Sequence, residues 1–192
     1  MAERVPAEAA IVVAGGRSTR FGSDKLQAQV GGRTLLLRTI EALSDCRTVV
    51  IVSAADHTLP RDVVRVSEYP RWGGPCAGIA AGVAALPEGT SEALIVSADL
   101  ARPADAIAAL HGMPPGVLAD EAGNIQWLLA RVPLPALRNR LAQLQAARGV
   151  AGIPVRALIG DLDLPIVRVS ADVVADVDEP RDLDKVIAPH SS

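Results

Sequence analysis

The sequence predicts a three-layer α/β domain, with helices on both faces of a mostly parallel central sheet. Three observations predict it. Apolar runs of strand length recur along the 192 residues, and helical patterns separate several of them. The apolar 49% of the chain is aliphatic and alanine-rich, with aromatics at only 2%. Strands buried on both faces read as continuous Val/Ile/Leu runs, and Ala/Leu-rich helices cover them.

Strands are predicted at Ala9–Val13, Thr48–Val52, 63–66, 93–96, Gly116–Ala119, 126–132 and 166–169, each a short apolar run. Helices are predicted over 34–43, 76–86, 103–110, Leu134–Ala147 and 180–187. Pro103 and Pro180 fall in first helical turns, after Asp99 and Asp178. The segments Pro114-Pro115-Gly116 and 149–154 read as connections rather than domain boundaries. The chain shows no internal repeat, so one domain over 1–192 is expected, with 1–7 and 188–192 flexible.

A net charge of −3 argues against general polyanion binding, and the few aromatics argue against a surface that stacks nucleic-acid bases. No nucleic-acid partner is expected. Cys46 and Cys76 stand outside any CxxC or Cys/His pattern and read as reduced thiols. Glu3, Arg4, Pro6 and Glu8 do not make a signal peptide, and no apolar run reaches the roughly 18 residues of a membrane span. A cytoplasmic protein with no membrane partner is expected.

The most informative stretch runs from Val13-Ala14-Gly15-Gly16 through Arg17, Arg20 and Gly22 to Asp24-Lys25. An apolar run opening into paired glycines and several cations suits a strand end that wraps a polyphosphate. Glycines let backbone N–H groups approach the oxygens, and the cations offset their charge. Five residues separate Gly16 from Gly22, and Ser23-Asp24 follows, so this is neither a Walker loop nor the dinucleotide fingerprint.

Asp99 ends the run Leu94-Ile95-Val96-Ser97-Ala98 and is the best candidate for a metal-binding carboxylate; the alternative is a helix cap before Pro103. Ligands in such sheets sit beyond the carboxyl ends of the strands, which puts the basic loop and Asp99 on one edge. In Asp176-Val177-Asp178 an extended backbone turns both carboxylates to one side, toward one ion, or else Asp178 caps the helix that follows. Gly73-Gly74-Pro75-Cys76-Ala77-Gly78 is a second glycine turn, open to a flat ring against the backbone or to close helix–sheet packing. Glu68 just before it is either a base-edge acceptor or an exposed acid. Asp161 and Asp163 read as solvated and Trp127 as core, while His57, His111 and His190 form no pattern. No nucleophile–base constellation is readable, so covalent acyl chemistry is not expected. A basic glycine loop, a strand-end Asp and a second carboxylate together describe metal-assisted attack on a nucleoside triphosphate.

These residues resemble the molybdenum cofactor guanylyltransferases. The first loop is similar to their signature Leu-Ala-Gly-Gly-x-Ser-x-Arg-Met-Gly-x-Asp-Lys, with Val13 and Phe21 in place of Leu and Met. Gly74-Pro75-Cys76-Ala77-Gly78-Ile79 resembles their Gly-Pro-x-x-Gly-Ile turn, and Asp176-Val177-Asp178-Glu179-Pro180-Arg181-Asp182-Leu183 their closing segment. Gln126-Trp127-Leu128 is also familiar from some members. The resemblance implies a Rossmann-like nucleotidyltransferase fold and transfer of GMP from Mg²⁺-bound GTP to the terminal phosphate of molybdopterin, releasing pyrophosphate. It implies nucleotide contacts from Val13, Ala14, Gly15, Gly16, Ser53, Glu68, Gly74, Pro75 and Gly78, with Lys25 on the phosphates. Lys25, Arg20 and Asp99 would be the catalytic residues, and Asp99 with Asp178 would hold the Mg²⁺. Molybdoenzymes or their chaperones are the implied recipients. The Gly15-Gly16 pair and the Gly-Pro turn favour guanine over the cytosine of related cytidylyl enzymes.

Two departures fall on the acceptor side. Asp99-Leu100-Ala101-Arg102-Pro103 stands where Met-Pro or Thr-Pro usually follows the aspartate, and Asn124-Ile125 where Arg-Pro or His-Pro is common. They leave room for another phosphorylated acceptor, such as a sugar phosphate or phospholactate, or for a non-catalytic nucleotide-binding paralogue.

Overall fold

Side-chain alternation along the first strand explains the layers. In β1 (Ala9–Val13), Ala9, Ile11 and Val13 enter one core, while Ala10 and Val12 enter another. A strand buried on both sides needs cover on both sides, and the chain supplies it. The computed structural model describes residues 7–15, 25–179 and 182–183.

After β1 come a 3₁₀ turn at Lys25–Gln27, a two-stranded ribbon of β2 (Gln29–Val30) and β3 (Arg33–Thr34), and α1 (Leu35–Ala42). There follow β4 (Thr48–Val52), β5 (Val64–Val66), α2 (Pro75–Ala85), β6 (Glu92–Ser97) and α3 (Pro103–His111). The last third holds β7 (Gly116–Ala119), β8 (Ile125–Pro133), α4 (Leu134–Ala147), α5 (Val155–Ile159) and β9 (Ile166–Arg168). The main sheet has seven strands in the order β5-β4-β1-β6-β8-β7-β9. β8 alone runs against its neighbours β6 and β7, and the other pairings are parallel. The expected three-layer, mostly parallel architecture is present. α2, α4 and α5 pack on the face of Ile11 and Ile95, and α1 and α3 on the face of Val12 and Leu94.

Local chemistry sets the helix starts. The Thr34 hydroxyl accepts from the Leu37 amide at 3.1 Å and caps α1. Pro75 and Pro103 begin α2 and α3, where a missing N–H costs nothing. α2 lies so close to the sheet that a Cβ on Gly82 would come 2.5 Å from Ile11 Cγ2, and one on Gly78 3.1 Å from Val52 Cγ1. Close packing therefore accounts for these two glycines.

The short β2–β3 ribbon and α5 were not expected from the sequence. Ala7, expected to be flexible, is buried, and its amide donates to His111 Nδ1 at 3.2 Å. Asp161, expected to be solvated, is exposed but ion-paired with Arg140. The expected helix over 180–187 and the tail over 188–192 fall outside the described residues, apart from Asp182 and Leu183.

Candidate active site

Chain order in the sheet creates a crevice beside β1. The chain leaves β1 toward β4 and β5 and then returns to β6 on the other flank, and open α/β sheets bind ligands at such a reversal. At this rim Ala14 N donates to Val52 O at 2.9 Å and Ala98 N to Val13 O at 3.3 Å. The start of the glycine loop is thus held between the ends of β4 and β6. Val13 and Ala14 are buried there, and Gly15 is exposed with no atom near the place a Cβ would take.

Lys25 re-enters this rim from the far end of the loop. Its Nζ lies 2.5 Å from Asp99 Oδ2 and 3.4 Å from Asp178 Oδ1. The side chains of Lys25 and Asp99 are only 17% and 19% exposed, so the pair is shielded from bulk water. The Ser97 hydroxyl donates to Asp99 Oδ1 and holds the carboxylate from the strand side. Partial burial alone would lower the Lys25 pKa, but its hydrogen bond and charge attraction to Asp99, then to Asp178, raise it above the ordinary lysine value.

Backbone pairing brings the second acid. Leu100 and Asp176 form an antiparallel bridge, Ala101 N donates to Ala175 O at 2.9 Å, and Val177 N donates to Asp99 O at 2.8 Å. Val177 is fully buried with Val30, Leu35 and Ala101, which pins the segment from below. Asp176 and Asp178 therefore flank Asp99. Asp176 keeps an exposed face, yet desolvation by its neighbours pushes its carboxyl up to about 7, aided by repulsion from Asp99 and Asp178 and opposed by Lys25.

Two carboxylates on separate segments converge on one cation, and hard oxygens of this kind are what Mg²⁺ takes, usually one or two from protein with phosphate and water completing the shell. Among the described residues no group of three His, Cys, Asp or Glu side chains is arranged to hold a metal ion. The donor set thus fits Mg²⁺ shared with a phosphate and not a closed protein cage. The structure does not show the cap alternative for Asp99, and the helix that Asp178 was expected to cap falls outside the described residues. Arg102 precedes α3 at the cap position, and the amides of Asp178 and Glu179 both donate to Asp182 Oδ2, at 3.1 and 2.9 Å.

The remaining sequence candidates lie along the same edge. Ser53 ends β4 with its hydroxyl accepting from Ala55 N at 3.1 Å and its amide donating to Val66 O at 2.9 Å. Glu68, with exposure as its default expectation, is instead buried at 8%, and its Oε2 has no hydrogen-bond partner among the described residues. A buried acceptor left unpaired is costly, which marks Glu68 as a group awaiting a donor. Gly74 at φ +85° turns the chain into α2, Pro75 is exposed at its first turn, and Gly78 is buried against Val52. Gly16, Arg17 and Arg20 lie outside the described residues.

Ser97 belongs to this rim although sequence reasoning assigned it no role, and Asp176, expected to face an ion together with Asp178, lies there as well. Ser97 stands two residues before Asp99 on a strand, a spacing that puts both side chains on one side. Nothing in the sequence reveals the pairing of Leu100 with Asp176.

The profile of the MobA-like NTP transferase domain matches residues 10–163. Among curated proteins, the molybdenum cofactor guanylyltransferase of Sinorhizobium fredii is 40% identical over 76 residues, 38% of this chain and 35% of that protein. The probable molybdenum cofactor guanylyltransferase of Pyrococcus horikoshii is 44% identical over 50 residues, 25% of this chain and 26% of that protein. The chain thus spans about a quarter to a third of the length of these relatives. Among solved structures, molybdopterin-guanine dinucleotide biosynthesis protein A from Archaeoglobus fulgidus superposes with a TM-score of 0.65 at 15% identity, covering 93% of this chain and 96% of that one. The 2-C-methyl-D-erythritol 4-phosphate cytidylyltransferase of Francisella tularensis gives a TM-score of 0.69 at 13% identity, covering 92% and 96%. These two likenesses establish a shared fold.

Proposed function

The chain belongs to the MobA-like NTP transferase domain family, and on that premise we propose that it transfers GMP from GTP to the terminal phosphate of molybdopterin. The observation that carries the proposal is the meeting of Lys25, Asp99 and Asp178 at the rim of β1 and β6. In the reaction an acceptor phosphate oxygen forms a bond to the α-phosphorus of GTP. The bond from that phosphorus to the bridging oxygen breaks, and the electron pair leaves with pyrophosphate.

Such chemistry asks the protein for position and charge rather than for a nucleophile. Val13, Ala14 and Gly15 bring backbone to the nucleotide at a place where no Cβ intrudes. Lys25, charged through the neutral range, offsets phosphate charge as the bond breaks, and Ser97 keeps Asp99 aimed at the rim. Asp99 and Asp178 are the residues that would hold Mg²⁺, which supplies charge neutralisation and orientation of the phosphate oxygens.

Base choice is ascribed to Glu68. Guanine presents two N–H donors side by side on its pairing edge, which a buried carboxylate accepts together. Cytosine presents one donor beside an acceptor, and that acceptor would oppose the carboxylate. A site whose buried polar group is left unpaired by the wrong ligand discriminates strongly. GTP is therefore expected to bind more tightly than CTP or ATP in a titration with magnesium, and equal affinities would remove guanine from the proposal.

A second reading keeps the nucleotide half and changes the acceptor to another phosphorylated metabolite. The segment Leu100-Ala101-Arg102 favours it, because Leu100 and Ala101 are buried and Arg102 pairs with Asp172 where the resembling enzymes place a proline. Pyrophosphate release measured against a panel of acceptors decides between the two. Activity confined to acceptors other than molybdopterin overturns the first, and GTP binding without turnover on any acceptor overturns both in favour of a non-catalytic relative.

A further inference from the structure

At the crevice a buried hydroxyl stands in for a strand. In a parallel pair, a residue that donates to one residue of its neighbour accepts from the residue two further along. Ala98 N donates to Val13 O, so Ala98 O would accept from Gly15 N if β1 continued. β1 ends at Val13 instead, and Ala14 N turns the other way, to Val52 O. Thr39 of α1, fully buried, donates its hydroxyl to Ala98 O at 3.3 Å. Resting on the reading of Asp99 as the Mg²⁺ carboxylate, we infer that Thr39 is a positioning residue for Asp99, fixing the peptide from which that carboxylate is aimed.

Ala98 C=O and Asp99 N–H belong to one planar peptide, so a hold on that carbonyl sets the direction in which the chain enters Asp99. The next peptide is held as well, because Val177 N donates to Asp99 O at 2.8 Å. The Ser97 hydroxyl holds the carboxylate itself. Thr39 adds the hold that comes from the helix layer. Its hydroxyl also lies 3.2 Å from Leu35 O, but that carbonyl already receives the Thr39 amide within α1. Ala98, 1% exposed, has no water to turn to, and a buried carbonyl left unpaired is costly. Packing would be met equally by valine, which has nearly the same shape. The hydroxyl answers the carbonyl.

The same helix carries the cation. Leu35 N, at the start of α1, donates to Ala28 O at 3.1 Å, and Ala28 N donates to Lys25 O at 3.0 Å. The first residue of α1 thus holds the turn of Lys25, and its fifth holds the peptide of Asp99. Leu36 and Ile40 of α1 share one core with Ala98 and Leu100, which keeps the helix from sliding along the sheet. One rigid element therefore sets Lys25 and Asp99 against each other across the crevice. Outer partners that orient a metal ligand are worth about tenfold or more in metal affinity or turnover.

The test uses the full chain. Thr39→Val removes the hydroxyl and keeps the shape, and Thr39→Ser keeps the hydroxyl. In calorimetry on the chain holding GTP, Thr39→Val is expected to lower Mg²⁺ affinity about tenfold, and Thr39→Ser to recover most of it. Turnover, read as pyrophosphate release, falls in step in Thr39→Val while KM for GTP stays near the wild-type value. With no ligand present, hydrogen exchange of the Val177 amide is expected to quicken in Thr39→Val, while that of Leu134, bonded to Ser91 O at 2.8 Å, keeps its wild-type rate. Glu92→Ala loosens the far end of β6 and is expected to leave Mg²⁺ affinity unchanged, which separates aim from mere stability. The inference is overturned if Thr39→Val matches wild type in Mg²⁺ affinity, if Thr39→Ser is as impaired as Thr39→Val, or if Glu92→Ala lowers that affinity as much. A wild-type chain that takes up no Mg²⁺ with GTP brings down the metal reading of Asp99 instead, and the Val177 amide still reports whether Thr39 holds the peptide.

Discussion

At the start of β6, Glu92 Oε2 accepts from Arg131 Nε at 2.8 Å and lies 2.7 Å from Nη2, while Arg131 Nη1 donates to Met113 O at 2.9 Å. Beyond the end of the same strand, Asp99 meets Lys25 with Asp178 and Asp176 alongside. The first cluster is one cation and one anion, with backbone carbonyls taking up further donors. The second, among the described residues, is one cation with three acids. A cluster that only holds the fold is balanced and saturated, as the cost of burying charge requires. A cluster left with surplus carboxylate, and with a carboxyl raised to about 7, is set up to receive further positive charge.

Substitutions at the two ends of β6 break this comparison in different measurements. The largest effect is expected for Asp99→Asn, which keeps the shape and removes the charge. Turnover, read as pyrophosphate release, falls about 10²–10³-fold with the unfolding temperature nearly unchanged; wild-type turnover would end the role of Asp99. Glu92→Ala acts in the opposite sense. It strands the Arg131 guanidinium, 10% exposed, and costs about 2 kcal/mol of stability in denaturant unfolding, while the folded fraction keeps its turnover. Lys25→Ala is expected to lower turnover at least about tenfold, and wild-type kinetics in that variant would refute its part in charge stabilisation.

The smallest effect is a slope with pH. The Asp176 carboxyl has a pKa of about 7 in the folded chain, well above the ordinary aspartate value of about 3.9 that it regains on unfolding. Between those values the folded chain holds the proton and the unfolded chain does not, so stability falls as pH rises through this window. Lys25, with a raised pKa, is charged in both states there and adds no slope; its contribution is lost only above the ordinary lysine range. The unfolding temperature is therefore expected to drop from pH 5 to pH 8, and Asp176→Asn to flatten that drop. A slope the variant leaves untouched would show that the acids do not repel as the geometry implies.

Much of the fold was legible because its strands are buried on both faces and punctuated by prolines and glycines. Ala9–Val13, Thr48–Val52, Gly116–Ala119 and Leu134–Ala147 have the bounds expected of them. The reversed direction of β8 was not legible, since an apolar run carries no sign of which way its neighbour points. α5 was missed because its five residues, between Pro154 and Gly160, are too few to show a helical period. In the site, the placing of Lys25 and Asp99 at one edge of the sheet was legible from strand-end position, while residues 16–24 of the loop lie outside the described residues. The burial of Glu68 was not, because a lone Glu after a short strand is exposed in most proteins.

The sequence by itself determined the layers, the strand ends and which charged residues stand at them, since periodicity and side-chain chemistry are local properties. Only the packing of distant segments put Lys25 between Asp99 and Asp178, crowded Asp176 into a raised pKa and buried Glu68. Those outcomes depend on the order of strands and on backbone pairing between segments more than seventy residues apart, such as Leu100 with Asp176. No stretch of chain short enough to show a pattern contains both partners.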